Sequence, residues 1–376
     1  MEALILSCGT GGGHNSAAKA IQEEMRIRGH RAVVLNPYTL YSKKLADKID
    51  ESYIAMVQNR PRLFGAVYQA GQLYRKLPCR SPVYYVNRRM VPIMRSYLAR
   101  HSYDIILTTH LYPAEIITNM KDRGVPIPRA IYVSTDYVCI PFTEETDCDA
   151  YIAPAQDLVS DFAGRGIPPE KLHPFGIPTS RAFAEPESRE NARQRLDLDP
   201  HKKYILVAGG SMGGGTIRET IHALMEGTHS SPDTALVIVC GNNKALYEEV
   251  APCRSENILV VGHTDDMAGY MRACDLFITK PGGLSSTEAA VSGIPMLHTA
   301  GIPGCETYNA DYFAAHGMSE VCSDAQEVAA RAAAILADPE KCREMVRSQH
   351  AVFDGGAAGR ICNFAERFSR VDARCE

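Results

Sequence analysis

Short apolar runs, each followed by a turn and an amphipathic helix, recur along this chain. Residues 3–8 (ALILSC) form the first run, and residues 17–28 have the apolar periodicity of a helix that ends before a glycine. Residues 31–35 form the next buried-type strand, so the chain opens as a strand–helix–strand unit. The same alternation returns at residues 204–208, with a helix from Thr216. This pattern in a chain of 376 residues predicts an α/β protein with two domains.

The stretch from residue 275 to residue 309 contains the clearest candidate site. A buried strand at residues 276–279 is broken by a Pro-Gly-Gly turn, and a hydroxyl-rich segment then begins a helix. Such a turn directs free backbone N–H groups and the positive end of a helix toward an anion. Anion contacts are expected from Pro281, Gly282, Gly283, Leu284 and Ser285. Glu288 stands where its carboxylate would accept hydrogen bonds from the vicinal hydroxyls of a sugar. The alternative is an ordinary strand–helix turn with glycine for close packing.

A second glycine-rich turn follows the strand of residues 204–208. Successive backbone N–H groups in such a turn form a second concave anion site. Contacts are expected there from Gly210, Ser211, Met212 and Gly213. Two D-x-D matches, at residues 147–149 and 197–199, are interpreted as chance, so no metal is predicted.

The loop between the first strand and the first helix, GTGGGH, has a histidine where a dinucleotide-binding loop would have its third glycine. No acidic residue ends the second strand either, so nicotinamide binding is a weak interpretation. His14 stands at the start of a helix, whose positive end lowers the pKa of the imidazole and favours the neutral base. His14 is therefore interpreted as a base or an acceptor contact, with a capping histidine as the alternative.

Two further polar groups follow buried strands in the first half of the chain. His110 comes after the strand of residues 104–109, and Asp136 comes after that of residues 129–134. Because the carboxyl ends of parallel strands meet at one edge of a sheet, we expect both side chains to face the same cleft as His14.

Residues 38–100 differ in composition from the rest of the chain. They hold twelve Lys and Arg against three acids, and eight of the eighteen tyrosines, interleaved with apolar residues. Basic and aromatic residues on helices with an apolar face are typical of an element that lies on an anionic membrane surface. A solvated basic face, ordinary core-facing helices and a surface for single-stranded nucleic acid are the alternatives. The candidate membrane contacts are Tyr41, Lys43, Lys44, Phe64, Arg75 and Lys76.

Together these motifs resemble GT-B glycosyltransferases, specifically the family of plant monogalactosyldiacylglycerol synthases and bacterial processive diacylglycerol glucosyltransferases. The resemblance covers most of the chain. It implies two Rossmann-like domains that face each other across a cleft, with residues 1–178 on the acceptor and membrane side and residues 179–353 binding a UDP-sugar. Residues 174–178 and the charged run of residues 185–195 are expected to link them. A C-terminal helix within residues 354–376 is expected to pack back on the first domain.

The resemblance also implies a reaction, the inverting and metal-independent transfer of glucose or galactose from a UDP-sugar to diacylglycerol. His14 would then deprotonate the acceptor hydroxyl, with Asp136 as its support or replacement, and Gly12 and Gly13 would belong to the same acceptor loop. Thr264 lies in the loop that the family holds against uracil. This chain departs from the family's P-x-G-Q-E-x-x-N loop by a cysteine in place of glutamine, so the identity of the hexose stays open. Contacts to the sugar hydroxyls are expected from Cys305, Glu306 and Asn309.

Composition limits the remaining alternatives. The formal net charge of −4 gives no argument for nucleic-acid binding, and no such partner is expected. The twelve cysteines include no C-x-x-C pair, which favours reduced thiols in the cytosol. No signal peptide and no membrane-spanning run is predicted, so the expected location is cytoplasmic and peripheral on the inner face of the cell membrane. No cofactor is expected beside the UDP-sugar substrate. Transfer to another acceptor, a UDP-sugar 2-epimerase and a non-catalytic binding protein remain as alternatives.

Overall fold

The computed structural model describes residues 1–9, 11–210, 216–228 and 233–370. The chain divides into two compact units. The first comprises Met1–Met56, Arg62–Arg181 and Gly355–Glu376, and the second comprises Val57–Pro61 and Ala182–Asp354.

The first unit is an α/β unit built on a six-stranded sheet in which all neighbouring strands pair in parallel, in the order β2-β1-β3-β4-β5-β6. Its strands are short and almost wholly buried, as a sheet covered on both faces requires. Its elements are, in chain order, β1 Glu2–Leu6, α1 Gly12–Ile27, β2 Arg31–Leu35, α2 Lys43–Asn59, α3 Pro61–Tyr74, α4 Pro82–Asn87, α5 Val91–Leu98, β3 Ile105–Thr108, α6 Leu111–Lys121, β4 Ala130–Val133, β5 Ala150–Ile152, α7 Val159–Gly164 and β6 Leu172–His173.

The second unit repeats this architecture with a six-stranded parallel sheet in the order β12-β11-β10-β7-β8-β9. Its core is formed by the apolar residues of these strands and of the helices on their faces. Its elements are α8 Arg189–Arg195, β7 Lys203–Ala208, α9 Ile217–Thr228, β8 Thr234–Val239, α10 Lys244–Val250, β9 Ile258–Val261, α11 Met267–Ala273, β10 Leu276–Thr279, α12 Gly283–Ser292, β11 Met296–His298, α13 Cys305–Ala315, β12 Ser319–Val321, α14 Ala325–Ala337 and α15 Pro339–Val352.

The last helix, α16 (Ala357–Arg370), completes the core of the first unit. Its apolar face, including Ile361 and Ala365, joins the same buried cluster as Ile21 of α1. On the rim, the Arg28 guanidinium donates to Asn363 Oδ1 and pairs with Glu366 at 3.4 Å. The C-terminal helix is therefore part of the first unit.

Helix α1 begins earlier than its apolar periodicity predicts. It starts at Gly12, so the two glycines and His14 form its first turn. Glycine weakens a helix interior, but the first-turn N–H groups have no intrahelical acceptor in any helix, so glycine is tolerated there. Gly29, with φ of 77°, follows the end of the helix.

The charged run of residues 185–195 is not a plain linker. Residues 189–195 form α8, which Ser188 caps by accepting a hydrogen bond from the Asn191 N–H. Arg193 is buried, donates to the Ala273 carbonyl at 2.9 Å and pairs with Asp275 at 2.8 Å. The run is polar because its arginines bind the second unit.

In the part of the chain that the structure describes, no helix is both long and apolar enough to cross a bilayer.

Candidate active site

The sheet of the first unit reverses its strand order between β1 and β3, and His14 lies beside this point. Its Nδ1 is 2.8 Å from the Thr109 carbonyl oxygen and 2.9 Å from Thr135 Oγ1. A carbonyl oxygen only accepts, so Nδ1 carries the proton and Nε2 carries the lone pair. The Thr109 carbonyl thus fixes the tautomer that a general base requires, at the place where open parallel sheets bind ligands.

The surroundings of His14 favour its neutral form. Burial of the ring lowers its pKa, and this outweighs the opposing effects of the Asp136 negative charge and the bond to Thr109. The His110 ring meets the His14 ring edge-on, with centroids 4.5 Å apart. His110 accepts a hydrogen bond from the Tyr112 N–H at 3.1 Å, and burial together with His14 holds its pKa well below the usual range. The structure therefore brings His14 and His110 together as two neutral imidazoles.

The second unit has an equivalent reversal between β7 and β10. Gly210, after β7, has a positive φ of 69°, and a Cβ there would lie 3.4 Å from Lys280 Cε. A Cβ on Gly241, after β8, would lie 3.8 Å from the Gly210 carbonyl oxygen. The turns that follow three neighbouring strands are thus in contact at one edge of the sheet. The predicted contacts Ser211, Met212 and Gly213 lie outside the described residues.

The N-terminus of α12 adjoins this edge. Its N-cap is Gly282, and no side chain caps the helix within the described residues. Gly283 and Leu284 are buried, while Ser285 is partly exposed. The free N–H groups of the first turn and the positive end of the helix can therefore face an anion.

Glu288 lies one turn into α12 and is partly exposed. Burial raises the pKa of its carboxyl to about 8. A carboxyl poised near neutral pH can accept hydrogen bonds from sugar hydroxyls, and it does so best when ionised.

Helix α13 and the loop before it contact the turn that follows β10. Lys280 and Glu306 form a buried ion pair, and Glu306 Oε2 also accepts from the Ile302 N–H at 2.9 Å. The buried Asn309 side chain donates to the Pro281 carbonyl at 3.1 Å. A Cβ on Gly301 would lie 2.9 Å from Pro281 Cγ, so only glycine permits this approach. Glu306 and Asn309 thus hold the turn, and their predicted contacts with a sugar stay predictions.

Two other predicted donor residues lie in loops of the second unit. Thr264 follows β9, is partly exposed and accepts a hydrogen bond from the Asp266 N–H at 3.0 Å. Cys305 is the first residue of α13 and is partly exposed. These positions are accessible, and their predicted ligands stay predictions.

Comparison with known proteins finds similar proteins along most of the chain. A family model described as monogalactosyldiacylglycerol (MGDG) synthase matches residues 14–179, and one described as glycosyl transferases group 1 matches residues 188–350. A processive diacylglycerol β-glucosyltransferase of Bacillus licheniformis is 25% identical over 352 residues, which are 92% of this chain and 89% of the relative. Its counterpart in Bacillus cereus is 26% identical over 375 residues, 95% of this chain and 91% of the relative.

The chain is a glycosyltransferase, and it is similar to the monogalactosyldiacylglycerol synthases and to the processive diacylglycerol β-glucosyltransferases.

Solved structures agree on the fold of this glycosyltransferase. MurG of Acinetobacter baumannii superposes with a TM-score of 0.62 at 13% identity, covering 97% of this chain and 99% of its own. A UDP-GlcNAc 2-epimerase from Neisseria meningitidis, bound to UDP-GlcNAc, has a TM-score of 0.63 at 13% identity, and the match covers 98% of this chain and 100% of the epimerase chain. The predicted GT-B fold and the predicted class of enzyme are confirmed.

In this glycosyltransferase the basic segment of residues 38–100 contains α2 to α5. Lys43, Lys44 and Lys76 are exposed, Tyr41 is 66% exposed and Phe64 is partly buried. Arg75 differs, because its guanidinium binds both carboxylate oxygens of Glu144 at 2.8 and 2.7 Å. We therefore leave Arg75 out of the proposed membrane-facing surface.

The sequence did not reveal which groups hold His14. Thr135 was not singled out, although its place directly after a buried strand is a signal for a site residue. The acids of the first D-x-D match are engaged in ion pairs: Asp149 binds Lys121 at 2.7 Å, and Asp147 binds Lys171 at 3.2 Å. Among the described residues no group of three or more potential metal ligands is found.

Proposed function

We propose that this glycosyltransferase transfers a hexose, glucose or galactose, from a UDP-sugar to diacylglycerol. The observation that carries the proposal is the fixed Nδ1–H tautomer of His14, which leaves Nε2 as a base at the strand-order reversal of the first unit. The two Bacillus relatives are named processive diacylglycerol β-glucosyltransferases, and the Neisseria neighbour binds a UDP-sugar. The substrate classes in this proposal are taken from the names of those proteins. The residue roles described below are argued from the residues of this chain.

The donor would bind at the edge of the second sheet. The first turn of α12 and the Gly210 turn would face the diphosphate, Glu288 the ribose hydroxyls and Thr264 the uracil. Negative charge grows on the diphosphate as the glycosidic bond breaks. Preorganised N–H groups and a helix end stabilise that charge without moving and without requiring a metal.

The acceptor would meet His14 in the first unit. As the diacylglycerol oxygen forms its bond to the anomeric carbon, the bond from that carbon to the UDP oxygen breaks, and the hydroxyl proton passes to His14 Nε2. The attack comes from the face opposite the leaving group, so one transfer inverts the anomeric centre. The Asp136 charge, which acts against the lowered pKa of His14, would stabilise the imidazolium that forms.

The surface around α3 would lie on an anionic membrane. Eight of the twelve exposed large apolar side chains in the described part of the chain fall within residues 38–100. Leu63, Val67 and Leu73 project from α3 with exposures of 46%, 53% and 67%. Gly71 of the same helix is buried, and a Cβ added there would lie 3.5 Å from Pro141 Cβ. A helix that turns an apolar stripe outward, beside exposed lysines, suits an anionic bilayer on the cytoplasmic side.

The direct test mixes the purified chain with radiolabelled UDP-glucose or UDP-galactose and vesicles that contain diacylglycerol. A labelled glycolipid is expected with one of the donors, and His14→Ala is the matched control that should form none. Labelled lipid formed equally by the variant would contradict the role of His14. A UDP-sugar isomer formed without lipid would favour the 2-epimerase alternative.

Vesicle co-sedimentation tests the membrane surface separately. Reversing two exposed cations with Lys43→Glu/Lys44→Glu removes at least about 2 kcal/mol of attraction, roughly 30-fold in binding at low salt. Val67→Glu should also weaken binding, whereas Val352→Glu, at an exposed apolar position of α15, should not. Vesicle binding that does not change with anionic lipid, with salt or with these variants would contradict the proposal.

A further inference from the structure

A carboxylate from α2 is packed against the loop that carries His14. Asp50 approaches Gly9 so closely that a Cβ on this glycine would lie 2.2 Å from Asp50 Oδ2. The Gly9 N–H is hydrogen-bonded to the Asp50 carboxylate. Gly9 follows β1, and α1 with His14 in its first turn begins three residues later at Gly12. The contact is therefore a direct tie between α2 and the start of the loop.

The surroundings of Asp50 are costly for a carboxylate. Its Oδ1 is buried and has no hydrogen-bond partner among the described residues. The groups that face it are the buried Cys8 thiol, the buried Tyr38 hydroxyl and the negatively charged Asp47, and none of them is a cation. Burial and Asp47 raise the pKa of Asp50, while the Gly9 N–H lowers it. Because of these surroundings, the contacts of the Asp50 carboxylate contribute little to the stability of the fold. A role in positioning the loop is therefore favoured.

We propose that Asp50 is a positioning residue for the transfer reaction, holding the β1–α1 loop so that the His14 imidazole stands in register with Thr109 and Thr135. This rests on the proposed function, because it acts through the base named there. Misplacing a catalytic group by about 1 Å can cost on the order of 100-fold in rate. A loosened loop would move His14 relative to the Thr109 carbonyl, and the fixed tautomer would be lost.

Steady-state kinetics test this. Asp50→Asn should lower kcat about 10-fold and Asp50→Ala about 100-fold, with KM for the UDP-sugar and the Kd of UDP unchanged, because the donor groups lie in the second unit. Glu51→Gln is the matched control, since it removes an exposed acid from the same helix and Glu51 is not one of the groups that face Asp50. Equal kcat for Asp50→Ala and the wild type, or an equal loss for Glu51→Gln, would overturn the proposal.

A double-mutant cycle tests the contact itself. Gly9 does not have a positive φ, so alanine is allowed by the backbone, and its Cβ collides only with the Asp50 carboxylate. Gly9→Ala should therefore reduce kcat in the presence of Asp50 and cause little further loss beside Asp50→Ala. Strict additivity of the two effects would show that the residues do not act on each other.

A readout that does not depend on turnover completes the test. Long-range proton–nitrogen NMR of the imidazoles, with His14 assigned through His14→Gln, should show an Nδ1–H tautomer in the wild type and a mixture in Asp50→Asn. An unchanged tautomer in Asp50→Ala would refute positioning even if activity fell. If the wild type transfers no sugar, the proposed function fails while the NMR comparison still decides the role of Asp50.

Discussion

Replacing His14 by alanine removes the proposed base and little else. The hydrogen bond from the ring to the Thr109 carbonyl is worth about 1 kcal/mol, so the first unit should stay folded without it. A positioned general base contributes roughly 100- to 10,000-fold, so kcat should fall by that factor, about 3 to 5 kcal/mol of transition-state stabilisation. The assay is single-turnover transfer of labelled hexose to diacylglycerol vesicles, with UDP binding measured by calorimetry.

The pH dependence of the transfer rate provides a second test of His14 as the base. Burial lowers the pKa of His14, so the neutral base persists to lower pH than for an ordinary histidine. The acid limb of kcat, measured at saturating UDP-sugar so that donor binding does not contribute, should therefore lie below the usual pKa of histidine in the wild type and vanish in His14→Ala. Transfer by His14→Ala at a near-normal rate would refute the base assignment. Loss of UDP binding in parallel with activity would show that the substitution damaged more than the base.

Three further predictions concern the second unit. UDP should bind more tightly as pH rises through about 8, because Glu288 ionises there and then accepts hydrogen bonds from the ribose hydroxyls more strongly. Calorimetry should show a UDP affinity that does not change with pH in Glu288→Gln. Lys280→Met should destabilise the unit by about 3 kcal/mol in denaturant unfolding because it leaves a buried carboxylate unpaired, and adding Glu306→Gln should recover part of the loss. Burial lowers the pKa of His298 to about 3, so its contribution to stability is complete above about pH 6.5 and is lost as pH falls toward 3. About 2 kcal/mol should be gone at pH 5, and a wild-type unfolding curve as flat with pH as that of His298→Gln would contradict this.

The fold could be predicted because its strands are apolar runs buried on both faces and its turns are marked by glycine. Strand β10 has the bounds that its apolar run indicates, residues 276–279. The errors came where tertiary contacts override local pattern. Gly12 and Gly13 were interpreted as loop, yet they occupy a first helical turn that tolerates glycine. The arginines of α8 suggested a linker, but Arg193 is buried against Asp275.

The chemistry of the site was visible in the sequence, but its geometry was not. The glycine turns and His14 stood out because their residue types occur together over a few positions. The groups that orient His14 are 95 and 121 residues away in the chain, and only the strand order brings them to it. Asp50 could not be recognised for the same reason, since it lies among basic residues whose composition suggested a surface role.

The anomeric configuration of the product tests the central claim most directly. Glycolipid made by the purified chain from an α-linked UDP-hexose and diacylglycerol should be examined by NMR after a single transfer. A β-linked sugar is the predicted result, since one displacement assisted by His14 inverts the anomeric carbon. An α-linked product, or hexose released into water with no glycolipid formed, would contradict the account.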